Sequence, residues 1–150
     1  MTANSNYIRT GFYDDFKGYD TVLISVDING LLEIEKAFLQ LSQGHQQFDF
    51  SELQLLDKKY HVDITACNDV RNIGLKQVGK SKFEWRLTKD MWHHFRELLT
   101  SMTISKTHGH HYLDAEEGDI DGSSLQVVFS LDEYPLSFWE EHFETCNSRR

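Results

Sequence analysis

Thr21-Val-Leu-Ile-Ser-Val-Asp-Ile28 is followed by Asn29-Gly30 and then by Leu31, Ile34, Phe38 and Leu41 at helical spacing. Branched and aliphatic side chains crowd the first stretch, which reads as a strand buried on at least one face, and Asn29-Gly30 reads as its end. In the second stretch Glu33, Glu35, Lys36 and Gln40 fill the positions between the apolar ones, so one stripe faces a core, and Gly44 supplies the stop. A strand that hands over to an amphipathic helix packed on it sets the class as mixed α and β.

The pattern extends outward from that unit. Phe48 to Lys59 reads two ways, because Ser51-x-x-Gln54 has the form of a capping box while Phe48 and Phe50 alternate as in a strand. Tyr60, Val62, Ile64 and Ala66 alternate with His61, Asp63 and Thr65, and the alternation resumes at Ile73 and Leu75 and again at Phe83, Trp85 and Leu87. These stretches predict a three-stranded antiparallel meander. Thr88 is placed to cap a second helix of about three turns, with Asp90 in its first turn and Met91, Trp92, Phe95, Leu98 and Leu99 as its apolar stripe.

Strands are expected at His111–Asp114 and Leu125–Leu131, joined by the acidic stretch Ala115–Ser124. Pro135 keeps Tyr134 out of a helix, and Ser137-Phe-Trp-Glu140 has the form of a capping box for a short closing helix. The predicted order is β-α-β-β-β-α-β-β-α. That is an α+β fold, a largely antiparallel sheet with two main helices and a short C-terminal helix packed on it. Ile24, Val26, Phe38, Ile64, Trp85, Phe95 and Val128 are its expected core. No repeat of 20–50 residues stands out, so residues 1–150 are read as a single domain, with residues 1–20 flexible or peripheral.

Composition narrows the class further. With 39% apolar and 13% aromatic residues, nine Gly and one Pro, the chain can build a core without metal or disulfide help. Its first residues have neither a basic start nor an apolar run, so no secretory signal is expected, and no stretch reaches transmembrane length. Two cysteines, Cys67 and Cys146, lie far apart and form no CxxC, which favours a reduced, cytosolic protein over a disulfide scaffold.

The formal charge is −9, and it is distributed unevenly. Lys and Arg nearly balance Asp and Glu up to Lys106. From Thr107 to Ser148 there are ten acids and no Lys or Arg. Such a surface repels phosphate backbones and anionic lipid and attracts a basic protein, so neither nucleic acid nor membrane is the expected partner. The same acids also serve solubility as a solvated face. Asp114, Glu116, Glu117, Asp119 and Asp121 are the candidate protein-binding residues, with Tyr112 or Trp139 as aromatic anchor, since interfaces favour aromatic anchors. For any single aromatic, a place in the core is the commoner role.

Catalytic and metal patterns fail on spacing. His108, His110, His111 and Asp114 carry ligand chemistry suited to zinc or iron, and a metal-dependent or small-ligand enzyme would draw on them. On a regular strand, however, His110 and His111 point to opposite faces. Glu117-x-Asp119-x-Asp121-Gly122 copies the first half of a calcium loop, but Val128 stands where the loop needs its bidentate Glu. His93-His94 has no metal partner at helical spacing, no GxSxG elbow occurs, and Gly79-Lys80-Ser81 lacks the earlier Gly of a phosphate loop at the required place. No catalytic residue, cofactor or metal site is expected.

At His110-His-Tyr-Leu-Asp114, Gly122-Ser-Ser-Leu-Gln-Val-Val-Phe-Ser130 and Asp132-Glu-Tyr-Pro135 the chain resembles immunity proteins of bacterial polymorphic-toxin and contact-dependent inhibition systems. The resemblance spans about a third of the chain. It implies a small, cytosolic, non-enzymatic protein that neutralises a cognate toxin, commonly a basic nuclease. It carries over a role and no fixed catalytic residues.

Overall fold

A computed structural model describes residues 6–16, 19–105, 109–113 and 125–141. The strand read at Thr21–Ile28 is β2 (Tyr19–Val26), and all six residues from Thr21 to Val26 are buried, which explains why so little polar alternation is visible there. The chain turns into α1 (Ile28–Ser42) at Asp27, whose carboxylate accepts from the Gly30 amide at 2.8 Å. Asn29-Gly30 therefore lies inside the first helical turn rather than ending the strand. Asp27 also accepts from the amides of Asn6 and Tyr7, at 2.7 and 3.1 Å, so one carboxylate both caps the helix and anchors the incoming chain. Gly30 is required by that closeness, because a Cβ there would lie 2.2 Å from the Tyr7 carbonyl oxygen. Gly44, at φ +106°, ends the helix as its sequence position suggests.

Ahead of β2 lies β1 (Ile8–Phe16), a stretch in which sequence indicates no element because Arg, Thr and Gly interrupt the apolar pattern. After α1 come β3 (Gln47–Asp49), a 3-10 turn at Phe50–Glu52, β4 (Asp63–Asn68), β5 (Gly74–Gly79), β6 (Lys82–Leu87), α2 (Lys89–Ser105), β7 (Gly109–Tyr112) and β8 (Gln126–Leu131). The ambiguity at Phe48–Lys59 thus resolves into a short strand, a 3-10 turn and irregular backbone. Tyr60 and Val62 precede β4 rather than forming part of it. α2 has 17 residues, longer than the three turns expected, because Met102 extends its buried stripe beyond Leu99.

The chain is α+β, but its strands form two four-stranded sheets, β1-β2-β8-β7 and β3-β4-β6-β5. Each sheet joins two antiparallel pairs through a central parallel pair, β2 with β8 and β4 with β6. The expected meander is therefore corrected. β5 and β6 form a hairpin, and β6 then lies parallel to β4, which alternation alone does not distinguish from an antiparallel neighbour.

The architecture contains a repeat longer than the window the sequence reading considered. β1-β2-α1-β3-β4 and β5-β6-α2-β7-β8 have the same order, and the last two strands of each half complete the sheet begun by the other. Registers agree as well. Thr21 opposite Gln126 corresponds to Lys82 opposite Asp63, and Asp49 opposite Thr65 corresponds to Tyr112 opposite Val128. Along the helices, Leu31, Ile34, Phe38 and Leu41 match Trp92, Phe95, Leu99 and Met102 at one constant spacing, and all eight are buried. The caps correspond too, since Thr88 Oγ1 accepts from the Met91 amide as Asp27 does from Gly30. The fold has two-fold pseudosymmetry in topology and register.

One core fills the space between the helices and the inner faces of both sheets, and includes Ile24, Val26, Phe38, Ile64, Trp85 and Phe95. Its centre is aromatic. Trp92 lies 5.1 Å from both Phe38 and Trp85, tilted or edge-on, and its indole N–H donates to the Cys67 carbonyl at 3.2 Å. Val128, also expected in the core, belongs to a separate cluster with Tyr13, Leu23, Tyr60 and Trp139 on the outer face of the first sheet. Residues 136–141 are helical, beginning one position before the Ser137 capping box, and Phe138 and Trp139 lie over that face. The outer face of the second sheet has no such cover among the described residues, and burial alternates along β4 and β6. No helix among the described residues is long and apolar enough to cross a membrane.

Candidate functional site

β7 is the outermost strand of the first sheet, antiparallel to β8. Its alternation places His110 and Tyr112 on the outer face, where they stand opposite Ser130 and Val128, and turns His111 toward the face shared with Phe129. Tyr112 is 50% exposed, and the His110 ring meets it edge-on at 5.6 Å. Burial and the neighbouring His110 both lower the His111 pKa, burial the more.

The pairing carries a polar row across all four strands. Arg9 faces Ser25, Ser25 faces Ser130, and Ser130 faces His110. Just beyond β8 the chain turns sharply at Asp132, φ +56°, which brings Glu133 back over this row. Ser130 Oγ donates to Glu133 Oε1 at 2.6 Å, and His110 Nδ1 lies 3.2 Å from the same oxygen. Asp132 accepts from the Tyr7 hydroxyl at 3.2 Å, and the Arg9 guanidinium stacks 4.2 Å above the Tyr7 ring. Burial, reinforced by the Asp132 charge, pushes the Tyr7 hydroxyl up to about 12. Arg9 Nε in turn donates to Asp57 at 2.9 Å.

In this row the carboxylate lies between hydroxyl and imidazole. Ser130 is fully buried and its proton is directed at an acid, whereas activation of a serine nucleophile requires an imidazole at the hydroxyl. The arrangement works as a clasp that holds β7 and the 132–134 turn to β8, leaving Tyr112 projecting beside it.

The neighbouring row is apolar, running Gly11, Leu23, Val128 and Tyr112. Here Trp139 is seated, 2% exposed, its ring edge-on to Tyr13 at 5.9 Å and to Phe138 at 5.8 Å. A Cβ on Gly11 would lie 2.7 Å from the indole, so the glycine makes room for it. Trp139 is consequently a packing residue and presents no ring to a partner. The two proposed anchors thus separate, Tyr112 at the surface and Trp139 in a core.

Asp114, Glu116, Glu117, Asp119 and Asp121, together with His108 and Cys146, lie outside the described residues. Of the proposed metal ligands, His110 and His111 are on opposite faces of β7, and no group of three His, Cys, Asp or Glu is gathered for a metal among the described residues. Cys67 is buried on β4, where desolvation raises its thiol pKa. Sequence reasoning missed Tyr7, Arg9, Ser25, Ser130 and Glu133 as a group. Each is a common residue type, and only the register of four strands, two of them parallel, aligns them. Comparison of the chain with family models, curated proteins and solved structures returns no match.

Proposed function

We propose that this protein is a non-enzymatic binding domain that acts in the cytosol as an immunity protein, neutralising a cognate, basic toxin, most plausibly a nuclease. The contact is made by the acidic stretch holding Asp114, Glu116, Glu117, Asp119 and Asp121, with Tyr112 as its aromatic anchor. The observation carrying this reading is the exposed Tyr112, held on the outermost strand by the His110–Glu133–Ser130 clasp at the threshold of a stretch without Lys or Arg. A nuclease must attract phosphate, so an inhibitor with uncompensated acids matches its site in charge and is steered to it. A small-ligand enzyme built on His108, His110, His111 and Asp114 is less well supported, because β7 sends its two histidines to opposite faces.

The test is binding to the protein encoded beside this chain's gene. Tyr112→Ala should speed dissociation and weaken affinity by 2 kcal/mol or more, on the order of an interface anchor. Undiminished affinity would remove Tyr112 from the interface, and absence of any complex would refute the reading.

A further inference from the structure

The pseudosymmetry gives each outer-face position of one sheet a counterpart on the other. The row beneath Trp139, Gly11–Leu23–Val128–Tyr112, corresponds to Lys76–Glu84–Thr65–Asp49 on the second sheet. Gln126 and Thr21 correspond to Asp63 and Lys82. On the first sheet this place is filled by the chain's own aromatic turn. On the second it is an open groove of about 350 Å³, lined by Asp49, Asp63, Thr65, Lys82 and Glu84 with the exposed Val78 at its side. Where the first sheet has glycine to admit an indole, the second has Lys76, and where it has a leucine floor, the second has Glu84. The groove is shaped like a seat for a turn but is chemically unsuited to an apolar one.

We infer that this groove is a second docking seat, taking a turn of the partner protein that carries arginine or lysine. The inference rests on the partner being basic, as proposed above. Charge complementarity selects the occupant. Asp49 and Asp63 are diagonal neighbours on adjacent strands, roughly 7–8 Å apart, close enough to bracket a guanidinium and too far to share a proton. Glu84 is held by Arg86 at 3.1 Å, so it forms a fixed negative wall, while Asp63 has only His61 at 3.9 Å. Val78 offers an apolar contact to the aliphatic stem of the entering side chain.

The probe is a short peptide of alternating arginine and glycine, titrated into the isotope-labelled full chain and followed by amide shifts. Shifts at Thr65, Lys82 and Glu84 are expected, with binding weakened about tenfold in Asp49→Asn/Asp63→Asn. Asn retains the cap that Asp49 gives the Ser51 amide, so the fold should persist. Should that variant melt early, Thr65→Lys, which places a cation in the groove, must abolish the same shifts. The arm that distinguishes the two claims is a variant neutralised at Asp114, Glu116, Glu117, Asp119 and Asp121. Shifts confined to Tyr112 and beyond, lost in that variant and unaffected by Asp49→Asn/Asp63→Asn, would overturn the second seat and leave the proposed function standing. No shift anywhere would overturn both.

Discussion

Glu35 on α1 and Arg96 on α2 occupy equivalent positions in the two halves and bind each other across the pseudo-two-fold, Arg96 Nε lying 2.5 Å from Glu35 Oε2. In a perfectly symmetric assembly this position would face a copy of itself, and no single ionisable residue is its own complement. Opposite charges at equivalent sites convert a repulsive self-contact into an attractive one.

A double-mutant cycle measures that relationship. Both side chains are partly buried, so their coupling should be about 1 kcal/mol by urea unfolding, and Glu35→Arg alone should cost more than Glu35→Ala. Exchanging the two residues should recover most of the loss. An exchange no more stable than the single reversal would show that the pair's surroundings, and not its charges, determine the orientation.

Gly11 and Trp139 test the cover on the first sheet. Gly11→Ala must move the indole, because the added carbon would lie 2.7 Å from it, and it should cost about 1–3 kcal/mol with a shift in tryptophan fluorescence. Trp139→Ala should cost about 3–5 kcal/mol. Combined, the two should cost less than their sum, since the clash disappears with the ring.

How much of this was readable in the chain differs by element. Leu31, Ile34, Phe38 and Leu41 announce α1 because a surface helix needs a single apolar stripe, and the α2 stripe is equally plain. The sheets were harder. Alternation at Ile64 and at Phe83–Leu87 reports which side chains point inward but carries no information on whether neighbours run parallel, so a meander and two interlocked sheets look alike. The repeat is hidden because the halves conserve burial rather than residue type, Leu31 corresponding to Trp92 and Asp27 to Thr88. Of the candidate site, Tyr112 was legible from its setting. Trp139 was misassigned as an alternative anchor because an aromatic near acids reads the same whether it points out or in.

The interlocking has a mechanical consequence. β4 and β5 are joined through residues 69–73, where Val70 is 91% exposed. A protease site introduced there and cut after folding should leave both fragments in one native species on gel filtration, since each sheet holds strands of both halves. Unfolding of the cut protein should then depend on its concentration. Fragments that separate without denaturant would contradict the exchange of strand pairs.

Stability should fall on both sides of neutrality for separable reasons. The His111 pKa is lowered in the fold, so its contribution is present above the unfolded value of about 6.5 and is lost as pH falls below it. Tyr7 is raised to about 12, so its contribution is present below about 10 and is lost as pH rises through 12. Melts across pH should show His111→Phe flattening the acid limb alone and Tyr7→Phe flattening the alkaline limb alone. Unaltered limbs would remove these groups from the titration.

Association of the full chain with the protein encoded beside its gene, measured at two ionic strengths, tests the proposed function most directly. The parent should associate quickly at low salt and markedly more slowly at high salt, because steering by uncompensated acids is screened beyond about 10 Å at 0.1 M. Substituting Asn at Asp114, Asp119 and Asp121 and Gln at Glu116 and Glu117 should slow association and flatten the salt dependence, with a smaller change in dissociation. An association rate and salt slope identical to the parent's would contradict the account and show the acidic stretch to be a solvated surface only.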